Sequence, residues 1–122
     1  MEIKLHDSEL RVMDVLWNEE SASASRIAEA LKNKYDYSKT TTYTLIKRCI
    51  DKGAIERTDP GFICRPLVSK EQVQEIETGE LIKKLYDGAA DRLVSSILGN
   101  RKLTPTEIER LKQVVSDWSD EN

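Results

Sequence analysis

Apolar residues in this chain recur first at helical spacing, then as two short β-favouring runs, then at helical spacing again. In SELRVMDVLW, Leu10, Met13, Leu16 and Trp17 fall at i, i+3, i+6 and i+7, which predicts an amphipathic helix of about three turns. Glu9 stands three residues after His6, so His6 takes the cap position of that helix. SASASRIAEALKNKY predicts a second helix, with Ser23 as its cap and Ile27 and Leu31 facing inward. DYS interrupts the pattern, and Ser38 caps a third helix running to about Lys52. Gly53 ends it, with the Lys52 cation well placed in the last turn. AIER and FICRP follow, separated by TDPG, whose Pro60-Gly61 is a turn signal. They predict a two-stranded hairpin, which is marginal alone and must pack on the helices.

Helical spacing returns after Pro66. Ser69 and Gln72 make a capping box that opens SKEQVQEIETGELIKKLYDG, with Gly79 a weak point inside it. AADRLVSSILGN predicts a short helix. TPTEIERLKQVVSDW carries Thr104 as cap, Pro105 at the first helical position and Glu107 two places on, a strong start signature. No strand accompanies the apolar stripes of these three helices. Each large apolar side chain fully buried is worth ~1.5–3 kcal/mol, so leaving the stripes wet would be expensive. A two-fold dimer is expected to cover them through Val73, Ile76, Leu81, Leu85, Leu93, Ile97, Ile108, Leu111, Val115 and Trp118. The competing arrangement folds this segment back onto the N-terminal part.

A length of 122 residues fits one domain or one domain with an appendage, too short for a large cleft. No apolar run approaches the ~20 residues of a membrane span and no signal-peptide pattern opens the chain, so the expected location is the cytoplasm. Cys49 and Cys64 both sit in apolar patterns and read as buried thiols rather than a disulfide. The formal net charge of −3 hides an uneven distribution. From Lys32 to Arg57 the segment sums to +4, whereas the chain from Ser69 onward sums to −3. A basic middle and an acidic tail suggest two parts with different tasks; chance clustering on solvated faces is the bland alternative.

The third helix explains the basic middle. Thr40, Thr41, Thr42 and Thr44 are β-branched, and each costs a few tenths of a kcal/mol in a helix relative to Ala. On a helical wheel Thr42, Leu45, Ile46 and Cys49 turn inward. Lys39, Thr40, Tyr43 and Lys47 share the outer side, with Thr44 and Arg48 adjoining and no carboxylate before Asp51. Ammonium groups, hydroxyls and a phenol at a helix N-terminus suit phosphates and base edges in a DNA groove. Capping alone would explain Thr at a helix start. The order helix, turn, helix, basic-flanked hairpin favours the DNA reading. The expected fold is therefore mainly α with a small β-hairpin: a winged helix-turn-helix domain over 1–68 and a C-terminal helical dimerisation domain over 69–122. The expected DNA-contacting residues are Ser38, Lys39, Thr40, Thr41, Tyr43, Thr44, Lys47 and Arg48, with Arg57 and Arg65 on the wing. An enzyme has little support, with one His that lies far in sequence from either Cys, no Gly-rich phosphate loop and no zinc spacing; no cofactor or metal is expected. The other alternative is a winged helix that serves as a protein-protein interaction module without sequence-specific DNA binding.

DSELRVMDVLW, YDYSKTTTYTLIKRCIDKGAIER, RPLVSKEQ and LTPTEIERLKQVV together resemble the penicillinase repressor family, the BlaI/MecI/CopY-type winged-helix regulators, closer to the BlaI/MecI branch. The resemblance covers nearly the whole chain in the same order. It implies a cytoplasmic homodimeric repressor that binds dyad-symmetric operators upstream of resistance or homeostasis genes. In the penicillinase branch, release follows cleavage of an Asn-Phe bond in the dimerisation domain after a membrane receptor senses a β-lactam. The ungapped counterpart here is Ser96-Ile97, a different pair. The copper branch uses a C-terminal cysteine cluster, whereas this chain ends SDWSDEN. Tyr43 stands at a position often basic in the family.

Overall fold

The structure, a computed structural model, describes residues 3–100 and 103–121. Chain order is α1 (Asp7–Glu19), β1 (Ala22–Ser23), α2 (Ala24–Tyr35), α3 (Lys39–Asp51), β2 (Ile55–Thr58), β3 (Ile63–Pro66), α4 (Lys70–Leu85), α5 (Ala90–Gly99) and α6 (Pro105–Glu121). The architecture is mostly helical with one small antiparallel sheet. Cα packing divides it into two compact units, Met1–Thr78 and Gly79–Asn122.

Local chemistry sets the helix starts. The His6 amide donates to the Glu9 carboxylate at 2.7 Å, and Ser23 Oγ accepts the Arg26 amide at 3.1 Å. Ser38 Oγ accepts the Thr41 amide at 3.1 Å. Asp36, at φ 58°, closes α2 beside Lys32, whose ammonium lies 2.7 Å away and holds the Asp36 carboxyl below its ordinary range. Gly53 follows α3 at φ 81°, a left-handed conformation that glycine adopts without a steric cost.

The inward stripes of α1, α2 and α3 meet in one core. Val12, Met13, Leu16, Ile27, Leu31 and Ile46 are buried, as are Cys49 and Cys64, which are free thiols. Burial pushes the Cys49 thiol up to about 12, with the Glu9 charge reinforcing it, and burial also raises Cys64. Glu9 is a fully buried charge in this core. Lys52 donates to it at 2.6 Å and to the Lys4 carbonyl at 2.7 Å, tying the end of α3 to the start of α1. Burial raises the Glu9 pKa, but the His6 amide and the Lys52 ammonium outweigh it and leave a net lowering.

The hairpin predicted from AIER and FICRP forms, and it acquires a third strand. The sheet order is β1-β3-β2, with Ala22 opposite Cys64, Ser23 opposite Ile63, and Arg57 opposite Cys64 from the other side. β1 satisfies backbone groups on an edge of β3 that would otherwise need water. Two residues are too few to display an alternation, which is why the sequence pattern does not reveal this strand.

The first turns of α4 pack with the N-terminal unit. Ser69 and Gln72 form the reciprocal capping pair at 2.8 and 3.0 Å, and Trp17 Nε1 donates to the Val68 carbonyl at 2.9 Å. Val73, expected on the dimer stripe, is instead only 5% exposed and belongs to the N-terminal core. Its place on the first turns of α4, just beyond the Trp17–Val68 bond, keeps it in the core of the N-terminal unit rather than in solvent. In the second unit, Thr104 and Glu107 cap α6 reciprocally at 2.8 and 3.1 Å. The Thr104 amide holds the Glu107 carboxyl below its ordinary range. Exposed large apolar residues concentrate here: Leu81, Leu85, Ile97, Ile108, Leu111, Val115 and Trp118. Ile76 and Leu93 are half-buried. No helix of the described residues is long and apolar enough to cross a membrane.

Candidate nucleic-acid interface

Helix α3 turns Thr42, Leu45, Ile46 and Cys49 into the core, so its opposite side must face outward. That side presents Lys39, Thr40, Thr44, Lys47 and Arg48 in the open, with Tyr43 half-buried. The hydroxyls divide into roles. Ser38 caps the helix and its hydroxyl donates to Thr41 Oγ1 at 2.9 Å, so both serve the first turn. Thr44 donates to the Thr40 carbonyl at 3.0 Å, leaving its methyl outward on the helix surface. Thr42 is buried, and its hydroxyl finds no hydrogen-bond partner among the described residues.

The wing completes the surface. Lys39, Thr40, Tyr43, Thr44 and Lys47 line one open groove of about 740 Å³ together with Arg57 and Phe62. Arg57 lies over the Phe62 ring at 3.6 Å and pairs with Asp59 at 3.2 Å. Asp51 closes the far end of the groove, the first carboxylate on that side of α3. Hydroxyls, cations and aromatic faces arranged along the N-terminal half of a helix can accept a polyanion with flat apolar edges.

The structure does not bring Arg65 to this groove. Residues directly opposite in an antiparallel pair share a face, and neighbours along a strand alternate. Arg57 sits opposite Cys64 and faces the helices, whereas Arg65 sits opposite Glu56 on the other face and pairs with it at 3.2 Å. Arg65 lines a second groove with Trp17 and Leu67. Arg57 and Arg65 look equivalent in the sequence; register separates them. Sequence reasoning missed Phe62, whose signal was an aromatic residue directly after the Pro60-Gly61 turn.

The Ser96-Ile97 pair lies inside α5, and the Tyr86 hydroxyl reaches Ser96 Oγ at 3.4 Å.

A family model described as penicillinase repressor matches residues 5–117. The penicillinase repressor of Bacillus licheniformis is 27% identical over 116 residues, covering 93% of this chain and 91% of that protein. The methicillin resistance regulatory protein MecI of Mammaliicoccus sciuri is 30% identical over 115 residues, covering 93% and 94%. Among solved structures, the solution structure of the DNA binding domain of the repressor BlaI superposes with a TM-score of 0.54 at 28% identity, over 57% of this chain and 88% of that one. Bacillus licheniformis BlaI, solved as a monomeric form in complex with the blaP half-operator, superposes with a TM-score of 0.52 at 28% identity, over 58% and 90%.

Proposed function

The chain belongs to the penicillinase repressor family, and from that membership we propose that it is a homodimeric transcriptional repressor whose two α3 helices enter successive major grooves of a dyad-symmetric operator. The observation that carries this reading is the outer side of α3. Between Lys39 and Arg48 it holds no acid, and it shares a groove with the wing cation Arg57. A surface built only for protein contact has no need to keep that stretch free of carboxylates. Solved relatives with the same winged helix include one bound to a half-operator.

Lys39, Thr40, Tyr43 and Thr44 meet base edges or adjoining phosphates; Lys47, Arg48 and Arg57 mainly neutralise phosphate. Each good bidentate base contact discriminates by about 1–3 kcal/mol, and phosphate contacts add affinity without sequence information. Half-sites lie about one helical turn or a multiple apart, roughly 34–36 Å per turn. Pairing of two copies through the exposed apolar residues of α5 and α6 joins two weak half-site contacts by effective concentration. Occupancy then falls steeply when the dimer loosens, so an inducing event acts most effectively on the C-terminal unit. Cleavage at Ser96-Ile97 requires α5 to open first, because the bond lies within a helix.

The test is an electrophoretic shift with the duplex upstream of the protein's own gene, repeated across salt. Retarded complexes that weaken linearly in log salt support the reading. Lys39→Ala is expected to weaken the specific complex about tenfold or more while leaving random-duplex binding nearly as strong. Wild-type protein that ignores duplex even in dilute buffer refutes the proposal and favours a protein-binding platform.

A further inference from the structure

We propose that Phe62 is a positioning residue for DNA recognition: its ring fixes the Arg57 guanidinium and fastens the wing to the reading helix, so that both elements meet the duplex as one surface. The inference rests on the DNA reading of α3 and the wing.

Two contacts converge on this one ring. The Arg57 guanidinium carbon stands 3.6 Å from the ring centroid. That is well inside the ~6 Å reach of a cation–π contact. Tyr43 meets the same ring edge-on, with centroids 5.8 Å apart and an interplanar angle of 86°. The Lys39 ammonium in turn lies 5.6 Å from the centroid of Tyr43. A continuous path therefore runs from the first residue of α3 through Tyr43 and Phe62 to β2.

The backbone is also fixed at this point. Phe62 has φ 48°, a left-handed conformation that a bulky residue rarely adopts. Its carbonyl accepts the Ala24 amide at 2.9 Å, so the start of α2 holds the residue from the other side. A strained aromatic residue held by α2, α3 and β2 together marks a position whose geometry matters more than its propensity.

Arg57 shows what that geometry achieves. Asp59 accepts from its Nε and Nη2 at 3.3 Å while Phe62 covers the guanidinium face. When a phosphate arrives it can take the place of Asp59 at the guanidinium edge, and the ring keeps the plane in position. An arginine held this way surrenders less rotamer freedom on binding than one waving in solvent.

Side-chain NMR of the free full-length protein tests the geometry without DNA. The Arg57 δ and ε proton resonances of the wild type are expected upfield by ring current, to relax to ordinary values in Phe62→Leu and to return in Phe62→Tyr. Binding is then measured with the duplex upstream of the gene. Phe62→Leu should weaken it about fivefold to twentyfold, and Phe62→Tyr should stay within about twofold of wild type. In an Arg57→Ala background the Phe62→Leu change should cost clearly less than in the wild type, because one of the two groups the ring holds is gone. Equal losses in both backgrounds overturn the proposal. Unshifted Arg57 resonances in wild-type protein that binds duplex overturn it too, and need no variant to fold. Shifted resonances in protein that binds no duplex instead overturn the DNA reading, and this inference falls with it.

Discussion

At Glu9 a fully buried carboxylate is held by the His6 amide and the Lys52 ammonium, and its second oxygen has no hydrogen-bond partner among the described residues. Two donors to one charge can outweigh desolvation, whereas losing one would strand a buried ion. Glu9→Gln is therefore expected to cost about 1–3 kcal/mol at neutral pH, read from urea unfolding midpoints. The folded carboxyl titrates below its ordinary value of 4.5. Its stabilising effect is thus complete above that value and is lost as pH falls through the lower folded value, so wild-type protein should lose stability there and Glu9→Gln much less. Cys49, pushed up to about 12, stays protonated at pH 8, and burial shields it as well. Alkylation by iodoacetamide should proceed only as fast as the protein opens and become rapid in denaturant; fast labelling of native protein would contradict the packing.

Helix α3 shows how one element serves two demands. Its start relies on the Ser38 cap because the threonines behind it contribute little propensity. Ser38→Ala should lower thermal stability by about 1 kcal/mol. Thr42→Val keeps the shape and removes a buried hydroxyl that has no partner among the described residues, so it should stabilise by about 1 kcal/mol and leave duplex affinity unchanged. A destabilised Thr42→Val protein would show that the hydroxyl is satisfied. The elements legible in the sequence are those specified locally: the caps at Ser23, Ser38, Ser69 and Thr104, and the stripes they introduce, lie within a few residues of what they control. The elements that escaped depend on distant partners. β1 exists because Ala22 and Ser23 meet Ile63 and Cys64, and no local pattern marks it. The separate fates of Arg57 and Arg65 follow from register across β2 and β3. Phe62 gained its role only when the turn placed it between Tyr43 and Arg57.

For the molecule as a whole, the contrast between the two units carries the functional argument. Met1–Thr78 buries most of its large apolar side chains internally, Leu67 excepted, whereas Gly79–Asn122 leaves Leu85, Val115 and Trp118 more than 60% exposed. Their helical spacing was plain in the sequence; the inward turn of Val73 was not, because its neighbours in the fold lie far away along the chain. If a second copy covers the exposed residues, Leu111→Asp should sediment as a monomer with its helical content retained. At matched concentration its operator affinity should fall about a hundredfold or more. An unchanged sedimentation profile would count against pairing through α6. The hairpin has a further consequence for how such proteins diversify. Its strands are held by their own pairing from Ile55–Pro66 to Thr58–Ile63 and by β1 on Ile63 and Cys64, yet Asp59, Pro60 and Gly61 at the crest are all exposed. Lengthening, trimming or recharging that crest would alter which stretch of duplex the protein can touch while its foundations stay put, so a lineage could acquire new targets through a handful of codons without putting its folding at risk.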